Sequence, residues 1–123
     1  MWSRRLGGHG DDALLSVSAG MPDSIFVSGR SGSKDFPTTP TAIYGRLEAE
    51  NDSILTRLRA SDGRIQFATL VGGTRLQNMS WYNDMVTGVF ANASGDVYVT
   101  GGTLDDRLPV TLGALPTSTE RQR

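Results

Sequence analysis

Residues 53–103 contain four segments with the residue types and lengths of β-strands: SILTRLRA (53–60), RIQFATLV (64–71), MVTGVFA (85–91) and DVYVTG (96–101). In the first segment, Ile54 and Leu58 share one face, which is the period of two of a half-buried strand. The turn sequences SDG (61–63) and NASG (92–95) join pairs of segments. Tight hairpins connect antiparallel neighbours, so these residues are predicted to form one four-stranded antiparallel meander.

Much of this pattern also occurs earlier in the chain. WSRRLGG (2–8) aligns with FATLVGG (67–73) at an offset of 65, and DSIFVSG (23–29) aligns with GDVYVTG (95–101) at an offset of 72. DFPTTPTA (35–42) aligns with RLPVTLGA (107–114), again at 72. The change of offset requires an insert of seven residues, which falls within residues 74–84. Three blocks in the same order indicate an internal repeat.

The order of these blocks resembles the bacterial SBBP-type β-propeller repeat. The matching segments are LGGHGDD (6–12), IFVSG (25–29) and DFPTTP (35–40), and residues 52–63 resemble the strand that begins the next unit of that family. The second copy departs from the pattern, because Gly-Asp-Asp is missing after Gly72-Gly73 and RLP (107–109) replaces Asp-Phe-Pro. The resemblance implies propeller blades in a surface or secreted bacterial protein, and it implies no shared catalytic residue.

The predicted fold is all-β, a β-propeller fragment of just under two four-stranded antiparallel blades. Residues 1–31 would supply a partial blade of three strands, at 1–6, 14–19 and 24–29, the last of them outermost. Residues 32–52 would form the connector between blades, residues 53–103 a complete blade, and residues 104–123 a second connector with a disordered tail. Propellers close with about four to eight blades. We therefore expect either a fragment of a longer propeller or a short protomer that closes with copies of itself.

Composition narrows the range of functions. The formal net charge is −1, so no basic footprint for nucleic acid is present. The chain has no cysteine, which excludes disulfides, thiolate metal sites and a cysteine nucleophile. The sequence has no apolar run of the length that spans a membrane. MWSRRL (1–6) lacks the apolar segment of a signal peptide, so a signal would lie outside this sequence.

The insert within residues 74–84 carries the most suggestive functional feature. Inserts in repeat proteins map to loops, often on the binding face. Trp81 and Tyr82 offer apolar rings with polar atoms for a glycan or a protein, and the polar residues Asn78, Asn83 and Asp84 flank them. The alternative is that both rings pack back against the blade.

Three polar features suggest other chemistry. His9 lies in a glycine-flanked loop, where it could act as an acid or base. The sequence shows no partner for it, so a loop histidine without a functional role is the favoured interpretation. Asp11 and Asp12 could bind calcium or could cap turns, and turn capping is favoured, so no cofactor is predicted. The chain is predicted to be non-catalytic; the alternative is a fragment of a propeller enzyme acting on polysaccharide.

With under two blades, some sheet faces would have no neighbour within the chain. Apolar residues on strands where such faces arise are Ile54, Leu58, Ile65, Phe67, Val97 and Val99. Large exposed apolar patches are unusual in a soluble monomer. The sequence therefore predicts that the chain self-associates, or folds only marginally, when it is expressed alone.

Overall fold

A computed structural model describes residues 1–43, 45, 52–71 and 85–102 of the chain. These residues contain no helix, and their six strands are β1 (Asp12–Ser18), β2 (Ser24–Ser31), β3 (Asp52–Arg59), β4 (Ile65–Val71), β5 (Met85–Ala91) and β6 (Val97–Gly102). The all-β class predicted from the turn spacing is confirmed. Within the described ranges, no helix has the length and apolarity that crossing a bilayer requires.

The six strands form two antiparallel sheets, one with the order β1-β2-β3-β4 and one containing β5 and β6. The predicted grouping of residues 53–103 into one meander is wrong, because β3 pairs with β2 along its whole length and the described part of β5 pairs only with β6. Strand β2, predicted as outermost, lies between β1 and β3. The error has a simple cause: antiparallel neighbours do not require a short turn, and a long connection also brings β3 back beside β2.

The two hairpins β1-β2 and β5-β6 have the same pairing register at an offset of 72 residues. Leu14 pairs with Gly29 as Val86 pairs with Gly101, and Ser18 pairs with Phe26 as Phe90 pairs with Tyr98; the pairs between them also correspond. Each first strand has a register shift at the same place, between residues 14 and 16 in β1 and between residues 86 and 88 in β5. The internal repeat therefore extends from sequence to hydrogen-bonded geometry.

One face of the four-stranded sheet packs against the two segments that precede and follow the first hairpin. Ile54 and Leu70, on β3 and β4, form a buried cluster with Phe36, and Leu6 packs against it. Burying an aliphatic side chain of this size contributes about 1.5–3 kcal/mol. Residues 1–8 are not a strand, contrary to the prediction for 1–6. None of the described strands pairs with that segment, and Trp2 instead donates its indole N–H to the Ala60 carbonyl at 2.9 Å.

The outer edge of β4 is covered by the segment that follows β2. The Thr39 N–H donates to the Ala68 carbonyl at 3.0 Å, and the Ala68 N–H donates to the Thr39 hydroxyl at 3.1 Å. Further along, the Ile43 N–H donates to the Thr69 hydroxyl at 2.8 Å. Pro37 and Pro40 flank Thr39, and proline cannot continue a ladder of N–H donors. The segment therefore caps this edge at isolated points and does not add a fifth strand.

Strand β5 packs across the other face of the four-stranded sheet, over β1, β2 and β3. Serine side chains of β1 hold its backbone: Ser16 Oγ accepts the Val89 N–H at 3.1 Å, and Ser18 Oγ accepts the Ala91 N–H at 2.9 Å. The approach is close at Gly20, where an added Cβ would lie 2.1 Å from the Ala91 carbonyl oxygen. The two sheets are thus joined by hydrogen bonds as well as by apolar contact.

Candidate functional site

The residues predicted to bind a ligand lie outside the described part of the chain. These are Trp81 and Tyr82 of the insert, with Asn78, Asn83 and Asp84. Their role stays a prediction. The sites that the structure does describe are a polar loop junction, an apolar cleft between the sheets, and two exposed apolar faces.

The loop junction is the contact of residues 7–12 with residues 31–35, and Asp12 lies at its centre. The Asp12 carboxylate accepts hydrogen bonds from the Gly8 N–H at 3.0 Å, from the Ser33 hydroxyl at 2.8 Å and from the Ser31 hydroxyl. Burial alone would raise the pKa of Asp12, but these hydrogen bonds outweigh it and the pKa is lowered. Asp12 therefore ties the glycine-rich loop to the end of β2, in the manner expected of a turn-capping carboxylate.

Asp11, the second weak calcium candidate, contributes its backbone to the same junction. Its carbonyl accepts the Gly32 N–H at 2.7 Å. Among the residues that the structure describes, no three His, Asp or Glu side chains come together as metal ligands would. Calcium binding at Asp11 and Asp12, the less favoured alternative, has no third acidic ligand within the described ranges.

His9 has a partner that the sequence did not reveal. Asp35 Oδ2 lies 2.5 Å from His9 Nδ1, and Asp35 Oδ1 accepts the His9 backbone N–H at 2.8 Å. The hydrogen bond and the negative charge of Asp35 raise the pKa of His9 above its ordinary value of 6.5. In turn, the backbone and side-chain hydrogen bonds from His9 lower the pKa of Asp35. The two groups are 26 residues apart in sequence, so no local motif links them.

The geometry of the junction is that of a contact that holds the loop in place. A catalytic histidine–carboxylate pair activates a nucleophile within reach of the imidazole. The Ser33 hydroxyl in this junction is unsuitable, because Ser33 is 1% exposed and its oxygen donates to Asp12 while accepting the Gly10 N–H at 2.8 Å. The His9 side chain itself is 97% exposed. The described geometry therefore supports a role in fixing the loop.

The apolar cleft lies between the four-stranded sheet and the turn of the second hairpin, with a volume of about 570 Å³. Phe26, Arg57 and Phe67 occupy directly opposite positions on β2, β3 and β4, and they form its floor together with Leu55. The Arg57 guanidinium lies 5.9 Å from the centre of the Phe26 ring, and its Nε donates to Ser24 Oγ at 3.0 Å. This position of the guanidinium over the ring is a cation–π contact, which fixes Arg57 on the floor of the cleft. The alternation of Arg57 with apolar residues was visible in the sequence, but its position opposite two phenylalanines was not.

The two exposed apolar faces lie on the two hairpins. We call Leu14 and Val17, two of the exposed residues of β1, the leading face; they are 50% and 65% exposed. We call the aromatic pair of the second hairpin, Phe90 and Tyr98, the trailing face; each is 57% exposed and their ring centres are 6.3 Å apart. These faces differ from most of those predicted.

Most of the apolar residues predicted on bare faces are covered. Ile54 and Leu58 are buried, with 0% and 7% exposure, whereas Ile65, Phe67 and Val97 are half-buried. Only Val99, at 43%, is exposed as predicted. The cause is the grouping of the strands: residues around Phe36 pack on one face of β3 and β4, and β5 packs on the other face of the four-stranded sheet.

Comparison of the sequence with models of known protein families, and with curated proteins, finds no match.

Proposed function

We propose that the chain is a non-catalytic module of β-propeller repeats, which presents loops to a protein or a glycan as part of a larger surface or secreted bacterial protein. The observation that carries the proposal is the pairing register shared by β1-β2 and β5-β6 at an offset of 72, including the register shift at equivalent positions. Register in a hairpin is set by its turn and its apolar pattern, so two independent hairpins would rarely agree at every pair.

The packing of the sheets is a second support for the repeat. In a propeller, consecutive four-stranded sheets pack face to face around an axis. Here a four-stranded antiparallel meander is followed by a hairpin that repeats its first two strands and lies across its face. Blade boundaries at 12–71 fit this arrangement better than boundaries at 53–103. The remaining blades would then come from a longer chain or from copies of this one.

The loops support binding over catalysis. The glycine-rich loop 7–12 is held in place by the Asp12 and Asp35 hydrogen bonds, and a loop fixed on a rigid sheet presents its side chains at low entropic cost. The insert with Trp81 and Tyr82 follows β4, the outermost strand of the same sheet. The adjacent Trp and Tyr of the insert have the chemistry to bind a sugar ring or an apolar protein surface.

The test is a polysaccharide binding assay with a matched aromatic control. Soluble xylan, galactomannan, mixed-linkage glucan and arabinan are titrated against the immobilised chain. We expect the double variant Trp81→Ala/Tyr82→Ala to weaken binding by at least about tenfold, because aromatic side chains dominate contact energies. Tyr98→Ala, which removes an exposed ring outside the insert, should leave binding unchanged.

Two outcomes would count against the proposal. Equal binding of the wild type and the double variant to every polysaccharide would show that Trp81 and Tyr82 do not form the glycan-binding site. Release of reducing sugar from any of the four polysaccharides would instead favour the alternative of a propeller enzyme.

A further inference from the structure

The leading face is exposed where its repeat equivalent is covered. At an offset of 72, Leu14 corresponds to Val86 and Val17 corresponds to Val89. Val86 is 6% exposed and Val89 is half-buried, because β5 packs on the four-stranded sheet. Leu14 and Val17 are about half exposed or more, since no sheet lies against them in the described structure. Strand β1 therefore has an apolar surface equivalent to the one through which β5 packs, but no described sheet packs on it.

The trailing face shows the reverse relation. Tyr98 corresponds to Phe26, and Phe90 corresponds to Ser18. Phe26 is 4% exposed beneath the second hairpin, whereas Tyr98 is 57% exposed. The face that receives β5 on the first sheet is thus repeated on the second hairpin, where nothing among the described residues covers it. Each chain therefore has one uncovered leading face and one uncovered trailing face among its described residues.

We propose that two copies of this chain associate head to tail, with the leading face of one copy packed on the trailing face of the other. The inference rests on the proposed function only through the internal repeat, since the contact of β5 with the first sheet provides the template for the contact between copies. The partner is a second copy of the chain. An interface between two different patches is heterologous, so the paired complex still has one free leading face, on one copy, and one free trailing face, on the other.

The contact between copies should be weaker than the contact within the chain. The hydroxyl groups of Ser16 and Ser18, which accept N–H groups of β5, correspond to Gly88 and Phe90 on the trailing face. Those two positions have no side-chain oxygen, so the corresponding N–H groups of β1 would gain no such acceptors. The aromatic pair supplies apolar contact in their place, and aromatic side chains are the commonest anchors of interfaces. We expect a reversible complex that forms at micromolar concentrations.

A complementation experiment tests both the faces and the polarity of the complex. Val17→Asp damages only the leading face, and Phe90→Asp damages only the trailing face; both side chains are more than half exposed, so neither change should disturb the core. In sedimentation velocity from about 1 to 200 µM, the wild type should associate, and each variant alone should weaken association by at least about tenfold. An equimolar mixture of the variants should recover a 1:1 complex and nothing larger, because one intact face remains on each variant.

The controls keep the result specific. Ile43→Asp changes an isoleucine of 61% exposure outside both faces, and it should leave association unchanged. Far-UV circular dichroism checks the fold of every variant, and Leu14→Lys and Tyr98→Lys replace any variant that fails to fold. A monomeric wild type at all concentrations, association that survives either single variant, or a mixture that stays monomeric would each overturn the proposal. None of these results bears on polysaccharide binding by the insert.

Discussion

Two buried threonines on neighbouring strands differ in whether their hydroxyl groups are hydrogen-bonded. Thr56 on β3 and Thr69 on β4 are both fully buried. Among the residues that the structure describes, Thr56 Oγ1 has no hydrogen-bond partner, whereas Thr69 Oγ1 accepts the Ile43 N–H at 2.8 Å and donates to the Leu70 carbonyl at 2.8 Å. An unsatisfied buried hydroxyl costs about 1–3 kcal/mol, so the two sites should respond to the same substitution with opposite signs.

Threonine-to-valine exchange measures that difference. Thr56→Val removes an unpaired hydroxyl at constant shape, and we expect the free energy of unfolding to rise by about 1 kcal/mol. Thr69→Val leaves the Ile43 N–H without its acceptor and should lower the free energy of unfolding by about 1–2 kcal/mol. Urea denaturation of both variants provides the measurement. A loss of stability in Thr56→Val would show that its hydroxyl is hydrogen-bonded in solution.

The pair of His9 and Asp35 makes the loop junction sensitive to pH. The folded-state pKa of His9 is raised, so its contribution to stability is complete below the ordinary value of 6.5 and is lost as the pH rises through the raised value. The folded-state pKa of Asp35 is lowered, so its contribution is complete above the ordinary value of 3.8 and is lost as the pH falls through the lowered value. Both groups therefore make their full contribution to stability between about pH 4 and pH 6.5.

A proton NMR titration tests this directly, because His9 is the only histidine in the chain. We expect its imidazole to titrate above 6.5 in the wild type. In Asp35→Asn the pKa should fall back toward 6.5, since both the charge and the carboxylate acceptor are removed. Asp23→Asn, an exposed aspartate on the turn between β1 and β2, serves as the control and should leave the histidine pKa unchanged. An identical pKa in the wild type and Asp35→Asn would show that the two side chains do not meet in solution.

At the scale of elements, the contact of β5 with β1 joins the two sheets through side-chain hydrogen bonds. Replacing Ser16 and Ser18 together by alanine removes the acceptors of the Val89 and Ala91 N–H groups. We expect a loss of about 1–2 kcal/mol for each serine in the free energy of unfolding, because two partly buried N–H groups are left unpaired. Ser94→Ala, in the exposed turn between β5 and β6, should change stability by less than about 0.5 kcal/mol.

Hydrogen exchange locates the effect within the molecule. The amides of β5 and β6 should lose protection in the double serine variant, whereas those of β2 and β3 should keep theirs, because β2 and β3 pair along their full length in the other sheet. Equal loss of protection in all strands would indicate that the serines stabilise the β1-β2 hairpin itself and not the contact between sheets.

At the level of elements, the sequence predicts the strands better than it predicts their neighbours. All six observed strands overlap predicted ones, since alternation, β-branched residues and turn sequences act within a few residues. Pairing depends on where residues 32–51 lead the chain, and no local pattern records that path. For the same reason, the contact of His9 with Asp35 across the loop junction was not predicted. The strand predicted at 1–6 is not formed, because none of the described strands pairs with that segment.

At the scale of the whole molecule, the repeat explains which surfaces are covered and which are not. In the first sheet, residues around Phe36 cover β3 and β4 on one face and β5 packs on the other, but Leu14 and Val17 of β1 stay exposed. The second hairpin has the same strand register but fewer neighbours among the described residues, and it therefore exposes Phe90 and Tyr98. Exposed apolar faces are present, but they lie on β1 and on the second hairpin and, apart from Val99, not at the residues that were predicted.

The Thr39 cap on β4 has a consequence for how chains of this kind can aggregate. An uncovered outer strand offers a row of N–H and C=O groups that can template pairing with a foreign strand, the first step toward amyloid. Thr39 occupies both backbone groups of Ala68 in the middle of β4, and the prolines on either side of Thr39 bring no donors of their own. Strand addition at that edge would first have to displace this cap. The cap therefore protects this edge from pairing with a strand of another molecule.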